Sequence, residues 1–508
     1  MALAFAFLLN TWVTQAELKR PQPAEAMTVI KNVRQLFIDD TGIERMDGLR
    51  RSVNQPLRHP GNPVVFGEYP WEKANVSVYG TAMYDPDKKR FRLWYLCSPG
   101  PPVTGCPWVE VGGYRRVTNC TLAAYAESPD GVRWQKPVLN QLSFQRSTAN
   151  NLLDIGIDNP EGISILHDPA EPDAARRYKA FFWDRRVGPP DDAVNAESKR
   201  SPVPKDPPGL TQEQLQGGMW VAFSPDGMHW KTHGPVLRRG SDTTQTILYD
   251  PVLKKYVGFG RFGFGRTVAR TESADCLHWT EPTQVLAADQ QDGPGAQIYG
   301  MPADLYEGIY LGMLWMYREG TDGHIDTQLA SSRDGASWHR VAGRQTFLPN
   351  SPEGSRDDGM SRIVGRFITR KNTLYLYYSM VNGPHRGPKF PNPVRKFAPA
   401  IGLVTLRRDG FVSLDATEKE GSLWTKPFVM PGGGLRLNID AGKGAAWVAV
   451  CDRDGNPFHG FERSRAVEGD SSEAAVQWPG AQLGQLQGKT LRLKISLRKA
   501  KLFSYWFD

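Results

Sequence analysis

Four segments of this chain repeat one pattern, and that repetition limits the folds open to it more than any other feature. They read Ser128-Pro-Asp130-Gly131-Val-Arg-Trp134, Ser224-Pro-Asp226-Gly227-Met-His-Trp230, Ser273-Ala-Asp275-Cys276-Leu-His-Trp279 and Ser332-Arg-Asp334-Gly335-Ala-Ser-Trp338. A weaker fifth copy is Arg407-Arg408-Asp409-Gly410-Phe411. A short Asp or Ser side chain can bond nearby backbone, Gly tolerates positive φ, and the Trp opens the next strand and packs inward. The pattern predicts tight hairpins that hold a fold together, with Trp134, Trp230, Trp279 and Trp338 buried at equivalent places.

A second hairpin signal lies upstream of every copy, with aromatic or β-branched runs on both sides of a polar turn. These turns are Tyr84-Asp85-Pro86, His167-Asp168-Pro169, Tyr249-Asp250-Pro251, Tyr306-Glu307-Gly308 and Arg370-Lys371-Asn372. Two hairpins make four strands, and the last three units recur at roughly the 40 to 50 residues of a propeller blade. The fold class expected is all-β: a five-bladed β-propeller over residues 28–411, with Val187 to Gly209 as a surface insertion.

After Phe411 the repeat stops. Leu435 to Ile439, Ala446 to Val450, Ala474 to Trp478, Thr490 to Ser496 and Leu502 to Phe507 look like short strands, predicting a C-terminal β-sandwich over 412–508 with a loop from Asp454 to Asp470. A length of 508 residues suits a large domain plus a smaller one, and 15 Trp, 51 Gly and 39 Pro favour strands and turns over helices.

These hairpins resemble those of the invertase, levanase and arabinanase type of glycoside hydrolase, five-bladed propellers of which some carry a C-terminal β-sandwich. The chain is most similar to bacterial proteins described as related to that group, which open with a motif like Leu36-Phe37-Ile38-Asp39-Asp40 and carry text like Leu406-Arg-Arg-Asp409-Gly410-Phe411-Val-Ser-Leu414. The W-x-N-D-P-N-G stretch, R-D-P triplet and E-C pair of the invertase branch are missing; Cys276 follows Asp275, not Glu. The resemblance therefore implies a carbohydrate-active protein without naming the sugar.

Net charge is +8 but spread along the length, so no nucleic-acid footprint is expected, while attraction for an acidic glycan remains open. Five cysteines without a CxxC pair indicate neither a zinc site nor a full disulfide framework, though one bridge among Cys97, Cys106 and Cys120 is allowed. Ala2 to Leu9 is apolar and Thr14-Gln15-Ala16 resembles a signal-peptidase site, so residues 1–27 read as a leader for export, against an internal start at Met27. No later segment is apolar enough to span a membrane. No Gly-rich phosphate loop appears, and no cofactor or metal is assigned. The oligomeric state has no signature.

A propeller brings the innermost strand of each blade to one channel, and glycosidic hydrolysis needs two carboxyl groups there, one protonated and one ionised. Residues before each first hairpin are therefore the candidates. The expected catalytic acids are Asp242, Asp357, Asp358, Glu72 and Glu161, with Asp242 and a blade 5 acid forming the pair. Trp71, Asp158, Arg261, Gln297, Tyr299, Arg318 and His385 are the expected substrate contacts. The function expected is glycoside hydrolysis of a poly- or oligosaccharide. Alternatives are a glycan-binding propeller without catalysis, and a sialidase-like hydrolase, which would require an arginine triad around a tyrosine.

Overall fold

The computed structural model describes residues 31–100, 120–157, 160–184, 218–385 and 393–508. The leader, the Val187 to Gly209 insertion, Asp158 and Cys106 lie outside the described residues. Among those described, strands dominate and the only helical pieces are 3-10 turns of three or four residues. No described helix is long and apolar enough to cross a membrane.

The repeat units form successive antiparallel groups. The first holds Asn75–Asp85, Arg90–Ser98 and Leu122–Ser128; the second holds Pro160–His167, Tyr178–Asp184, Met219–Ser224 and Lys231–Leu237. The third holds Thr246–Asp250, Lys255–Gly260, Val268–Ser273 and Thr283–Leu286. In the fourth unit Ala296–Gly300 and Ala303–Tyr306 pair with Ile309–Arg318, which pairs with Ile325–Ser332. In the fifth, Met360–Ile363 and Ile368–Arg370 pair with Thr373–Val381, which pairs with Ala400–Arg407. A single parallel register, Ile325 against Met360, joins these last two.

Hydroxyl groups stitch each unit to the next. Thr81 Oγ1 donates to the Ile163 carbonyl and accepts from Ile165 N–H, at 3.3 and 2.8 Å. Ser164 Oγ accepts from Ile247 N–H and Thr246 Oγ1 from Ala303 N–H. Thr327 Oγ1 accepts from Ile363 N–H, and Ser379 Oγ accepts from Val78 N–H, which returns to the first unit. All five hydroxyl residues are buried. Apart from the single register of Met360 with Ile325, first strands carry no ladder toward the neighbouring unit, so the hydroxyls satisfy amides that would otherwise be orphaned. Arg366 adds a central tie: its guanidinium donates to the carbonyls of Ile165 and Ile247 and to Asp304 Oδ1.

The four repeat turns share one hydrogen-bond set. In the first, Ser128 Oγ accepts from Asp130 N–H and Gly131 N–H, and Asp130 Oδ1 accepts from Val132 N–H and Arg133 N–H. Ser224 with Asp226, Ser273 with Asp275 and Ser332 with Asp334 reproduce it. The expectation of four buried tryptophans needs correcting. Trp338 is buried, whereas Trp134, Trp230 and Trp279 are half-buried. Each opens an outer strand or the chain beside it, so one ring edge stays near the surface while the face packs inward: Trp279 on Phe181, Trp134 on Tyr377, Trp338 on Phe259.

The fifth copy does something else. Asp409 is buried and accepts from Arg34 Nη1, Tyr306 Oη, Ser504 Oγ and Asn438 Nδ2, at 2.9, 2.7, 2.6 and 3.1 Å. It ties the repeat units to the C-terminal strands rather than closing a hairpin of its own.

The C-terminal strands do not stand alone either. Gln35–Leu36, Ile43–Asp47 and Leu49–Val53 pair with Lys501–Phe507, Gly421–Thr425 and Val412–Ala416. Residues 35–53 thus belong with the chain's end, not with the repeats, and Leu57–Arg58 is the strand that lies outermost on Ala400–Arg407. The stretches expected as separate strands at Leu435 and Ala446 are one bent strand, Leu435–Cys451; its first part pairs with Lys501–Phe507 and its second with Thr490–Arg498. A further strand, Val467–Ala475, takes up the end of the expected loop. The core within these strands includes Phe37, Leu423, Leu437, Val448, Leu493 and Leu502. Cys120 is disulfide-bonded, and its partner is none of Cys97, Cys276 and Cys451, which are free thiols.

Candidate functional site

Three first strands carry the same local irregularity, a β-bulge ending on glycine. Register shifts fall between Ser77 and Thr81, between Glu161 and Ser164, and between Ile298 and Gly300. At Gly80 a Cβ would lie 1.9 Å from the Trp94 carbonyl oxygen, and Gly162 has φ +60°, so neither place takes a side chain. A bulge leaves one residue out of the ladder and re-aims it. Tyr79 and Tyr299 fall inside these gaps, while Glu161 keeps its register with Trp183 just before its own, and the three sit close together.

Tyr79 accepts a 2.5 Å hydrogen bond from Arg362 Nη1, whose guanidinium lies 4.9 Å from the Tyr79 ring. Burial pushes the Tyr79 phenol well above its ordinary pKa; the Arg362 charge opposes that, while Tyr299 and Glu161 reinforce it. Three guanidinium groups surround the Tyr299 ring: Arg266 at 4.7 Å, Arg261 at 5.0 Å and Arg362 at 5.8 Å from its centre. Arg266 also faces Tyr317 at 5.1 Å. Arg261 is held by two backbone carbonyls, donating to Asp242 O at 2.6 Å and Tyr299 O at 2.5 Å.

His385 closes the group, its Nε2 3.1 Å from Tyr299 Oη and its ring 5.0 Å from Tyr317. Burial, then the charges of Arg266, Arg362, Arg395 and Arg261, hold its pKa down at about 3. The imidazole is therefore neutral at ordinary pH, and the pocket around it is strongly electropositive.

Of the expected site residues, Glu161, Asp242, Arg261, Tyr299 and His385 come together here. Asp242 is exposed and precedes the strand that begins at Thr246, so it does not enter the buried strand as expected. Its charge nevertheless acts on Arg261. Asp358 lies at the edge, its carboxylate capping Gly354 N–H and Gly383 N–H and its charge acting on Arg395. Gln297 donates to Glu319, and Arg318 pairs with Asp326 at 2.7 Å.

Three candidates are committed elsewhere. The buried Glu72 carboxylate accepts from Tyr95 Oη at 2.5 Å, Lys136 Nζ at 2.8 Å and Glu68 N–H at 3.0 Å. Asp357, also buried, accepts from Arg58 Nε at 2.8 Å and Tyr378 Oη at 3.0 Å, and so anchors the outermost strand Leu57–Arg58. Trp71 stacks on Tyr69 at 4.7 Å and donates to Asn151 Oδ1. Tyr79, Arg362, Arg395 and Glu319 were not singled out from the sequence. An aromatic or acidic residue followed by glycine inside a strand pattern, as in Tyr79-Gly80, Glu161-Gly162 and Tyr299-Gly300, was the available signal.

No protein-family model matches the chain, and no curated protein matches it in sequence. Among solved structures it is similar to a fructofuranosidase variant from Schwanniomyces occidentalis complexed with fructosylnystose, at 11% identity and TM-score 0.42, covering 89% of this chain and 97% of that one. It is similar to a glycosyl hydrolase from Bacteroides ovatus at 15% identity and TM-score 0.41, covering 71% and 94%. An N-acetylgalactosamine deacetylase from F. plautii, in complex with blood group B trisaccharide, matches at 14% identity and TM-score 0.40, covering 72% and 97%.

Proposed function

We propose that the repeat units are the blades of a five-bladed β-propeller, that the remaining strands form a β-sandwich, and that the protein is a glycosidase acting on a poly- or oligosaccharide at the mouth of the propeller axis. The observation that carries the reading is the convergence of Glu161 and Asp242 beside one aromatic pocket. They stand at the entries of neighbouring first strands. Gln245 Nε2 donates to Glu161 O at 2.7 Å, and Arg261 Nη1 donates to Asp242 O. Tyr79 and Tyr299 offer ring faces and hydroxyls suited to holding a sugar.

In this reading Glu161, set beside the half-buried Tyr79, is the general acid that assists the leaving oxygen. Asp242, exposed and beside Arg261, is the carboxylate that attacks the anomeric carbon or activates water. Asp357 and Glu72 are structural acids. A second reading, a sialidase-like hydrolase, draws support from the grouping of Arg261, Arg266 and Arg362 around Tyr299, which would put a phenol at the reacting carbon.

The test is release of reducing sugar from a panel of plant, algal and sialylated glycans. Glu161→Gln and Asp242→Asn should each lower kcat by about 100-fold or more, the scale of a lost general acid or nucleophile, with unchanged unfolding transitions. Near-wild-type turnover in both variants would refute the pair. Loss in Tyr299→Phe alone would favour the sialidase-like reading, and binding without release from any glycan would leave a glycan-binding protein.

A further inference from the structure

We propose that Arg261, Arg266, Arg362 and Arg395 form a subsite for one anionic substituent, a carboxylate or a sulfate ester, on the saccharide that this site takes. The inference rests on the carbohydrate reading above, but not on cleavage. Elsewhere in the protein, most buried or half-buried arginines pair with acids, as Arg34 does with Asp409, Arg58 with Asp357, Arg92 with Asp85, Arg340 with Asp292 and Arg366 with Asp304, while half-buried Arg176 is an exception. None of the four pocket arginines forms an ion pair with a described carboxylate. Asp242, Asp358 and Glu319 stand around the pocket, yet no salt bridge joins them to these arginines.

Arg261 and Arg362 are only 8% and 6% exposed, so two guanidinium groups are taken from water without an ion pair to a described carboxylate. Their remaining support is ring faces and carbonyl oxygens, and Arg395 likewise donates to the carbonyls of Gly383 and Pro384. Donors are left over. Arg261 Nε, Arg362 Nε and Arg266 Nη1 are buried with no partner among the described residues, and so is His385 Nδ1. Buried unpaired charge and unmade hydrogen bonds both cost stability, and a cluster of like charges compounds it. An oxyanion entering from the mouth would satisfy all three costs at once, because guanidinium forks match carboxylate and sulfate oxygens. The depressed His385 pKa reports the same uncompensated field. The aromatic rings beside the cluster make a sugar-borne anion a better fit than a small free one.

Binding of the full chain to matched oligosaccharides by calorimetry tests this in two arms. The carboxylate arm compares oligogalacturonate with its methyl ester, and the sulfate arm compares carrageenan oligosaccharides with their desulfated forms. At least one charged member should bind about tenfold or more tighter than its neutral match, and more weakly as salt rises. Arg362→Gln and Arg266→Gln should lower that affinity about tenfold while changing neutral binding less than threefold. Arg266 is half-buried, so its variant serves if Arg362→Gln does not fold. Binding should also raise the His385 pKa seen by NMR. Equal affinity for charged and neutral members in both arms, or equal losses for both in the arginine variants, would overturn the subsite. Charged ligands that bind but are never cleaved would refute the glycosidase and leave the subsite standing; neutral ligands cleaved and bound as well as charged ones would do the reverse.

Discussion

Removing the Asp409 carboxylate perturbs the place where the repeat units meet the C-terminal strands. Asp409→Ala strands the Arg34 guanidinium, only 4% exposed, and takes an acceptor from Tyr306, Ser504 and Asn438. Breaking a buried ion pair by removing one partner costs about 3 to 5 kcal/mol, and each buried donor left unsatisfied costs about 1 to 3 kcal/mol before relaxation. Arg34 keeps Glu473 and the Ser472 carbonyl, which softens the loss. An expected net cost is therefore about 4 kcal/mol for Ala. Asn retains an acceptor but no charge and should cost about half as much. Trp506 is a built-in reporter, since the Arg34 guanidinium sits 3.5 Å from its ring centre. Urea unfolding followed by tryptophan emission should show the shift, and the double variant with Arg34→Ala should recover about 2 kcal/mol of coupling. A shift under about 1 kcal/mol, with no coupling, would show that Asp409 does not hold the junction.

Trp338→Ala should cost about 3 to 5 kcal/mol in a denaturant melt, and Trp134→Ala or Trp230→Ala clearly less, because only the first ring is fully enclosed. Equal losses would contradict that ranking. Glu72→Gln should lower stability by about 2 to 3 kcal/mol, because Lys136 keeps only Glu68 as a charged partner, while turnover per folded molecule stays unchanged. Lost turnover would return Glu72 to the site. His385 has a folded pKa of about 3 against an ordinary value of 6.5. Between those values the unfolded chain binds the extra proton, so its contribution is complete above pH 6.5 and drains away as pH falls toward 3. Stability curves of wild type and His385→Asn should converge as pH drops through that window; parallel curves would refute the assignment.

The strand content and the four repeat turns were legible because turn chemistry is local. A Ser and an Asp two residues apart, with Gly next in three copies and Cys276 in the other, contain all the groups that the turn uses, so four copies could be counted without knowing what they packed against. Asp409 shows the limit. The fifth copy has the same letters, but its carboxylate is claimed by Arg34 and Ser504, which lie far away in the chain. The N-terminal strands failed for a related reason: Leu36 and Ile43 look like any strand residues, and only pairing with Ser504 and Thr425 assigns them to the chain's end.

The candidate site divides along the same line, and the arginines show why. Within one strand, position before a first hairpin was enough to find Glu161, Asp242 and Tyr299. It could not separate them from Asp357, which occupies a similar position but is taken up by Arg58. Nor could it rank arginines, because a guanidinium acquires its role from its partner. Arg366 and Arg362 lie four residues apart and both reach the first strands, yet Arg366 meets Asp304 and two carbonyls while Arg362 meets the rings of Tyr79, Tyr299 and Trp315 and Tyr79 Oη. Ile165, which Arg366 binds, is four residues beyond Glu161, at most about 13 Å along the strand. Over that short distance the centre of the molecule changes from neutralised to uncompensated positive charge. A protein gains nothing in stability from leaving the second group unpaired, since an added Asp or Glu would relieve it. The unpaired arginines are therefore best understood as a feature held for a ligand, and the stability that they forgo should reappear as a rise in unfolding temperature when an anionic saccharide binds.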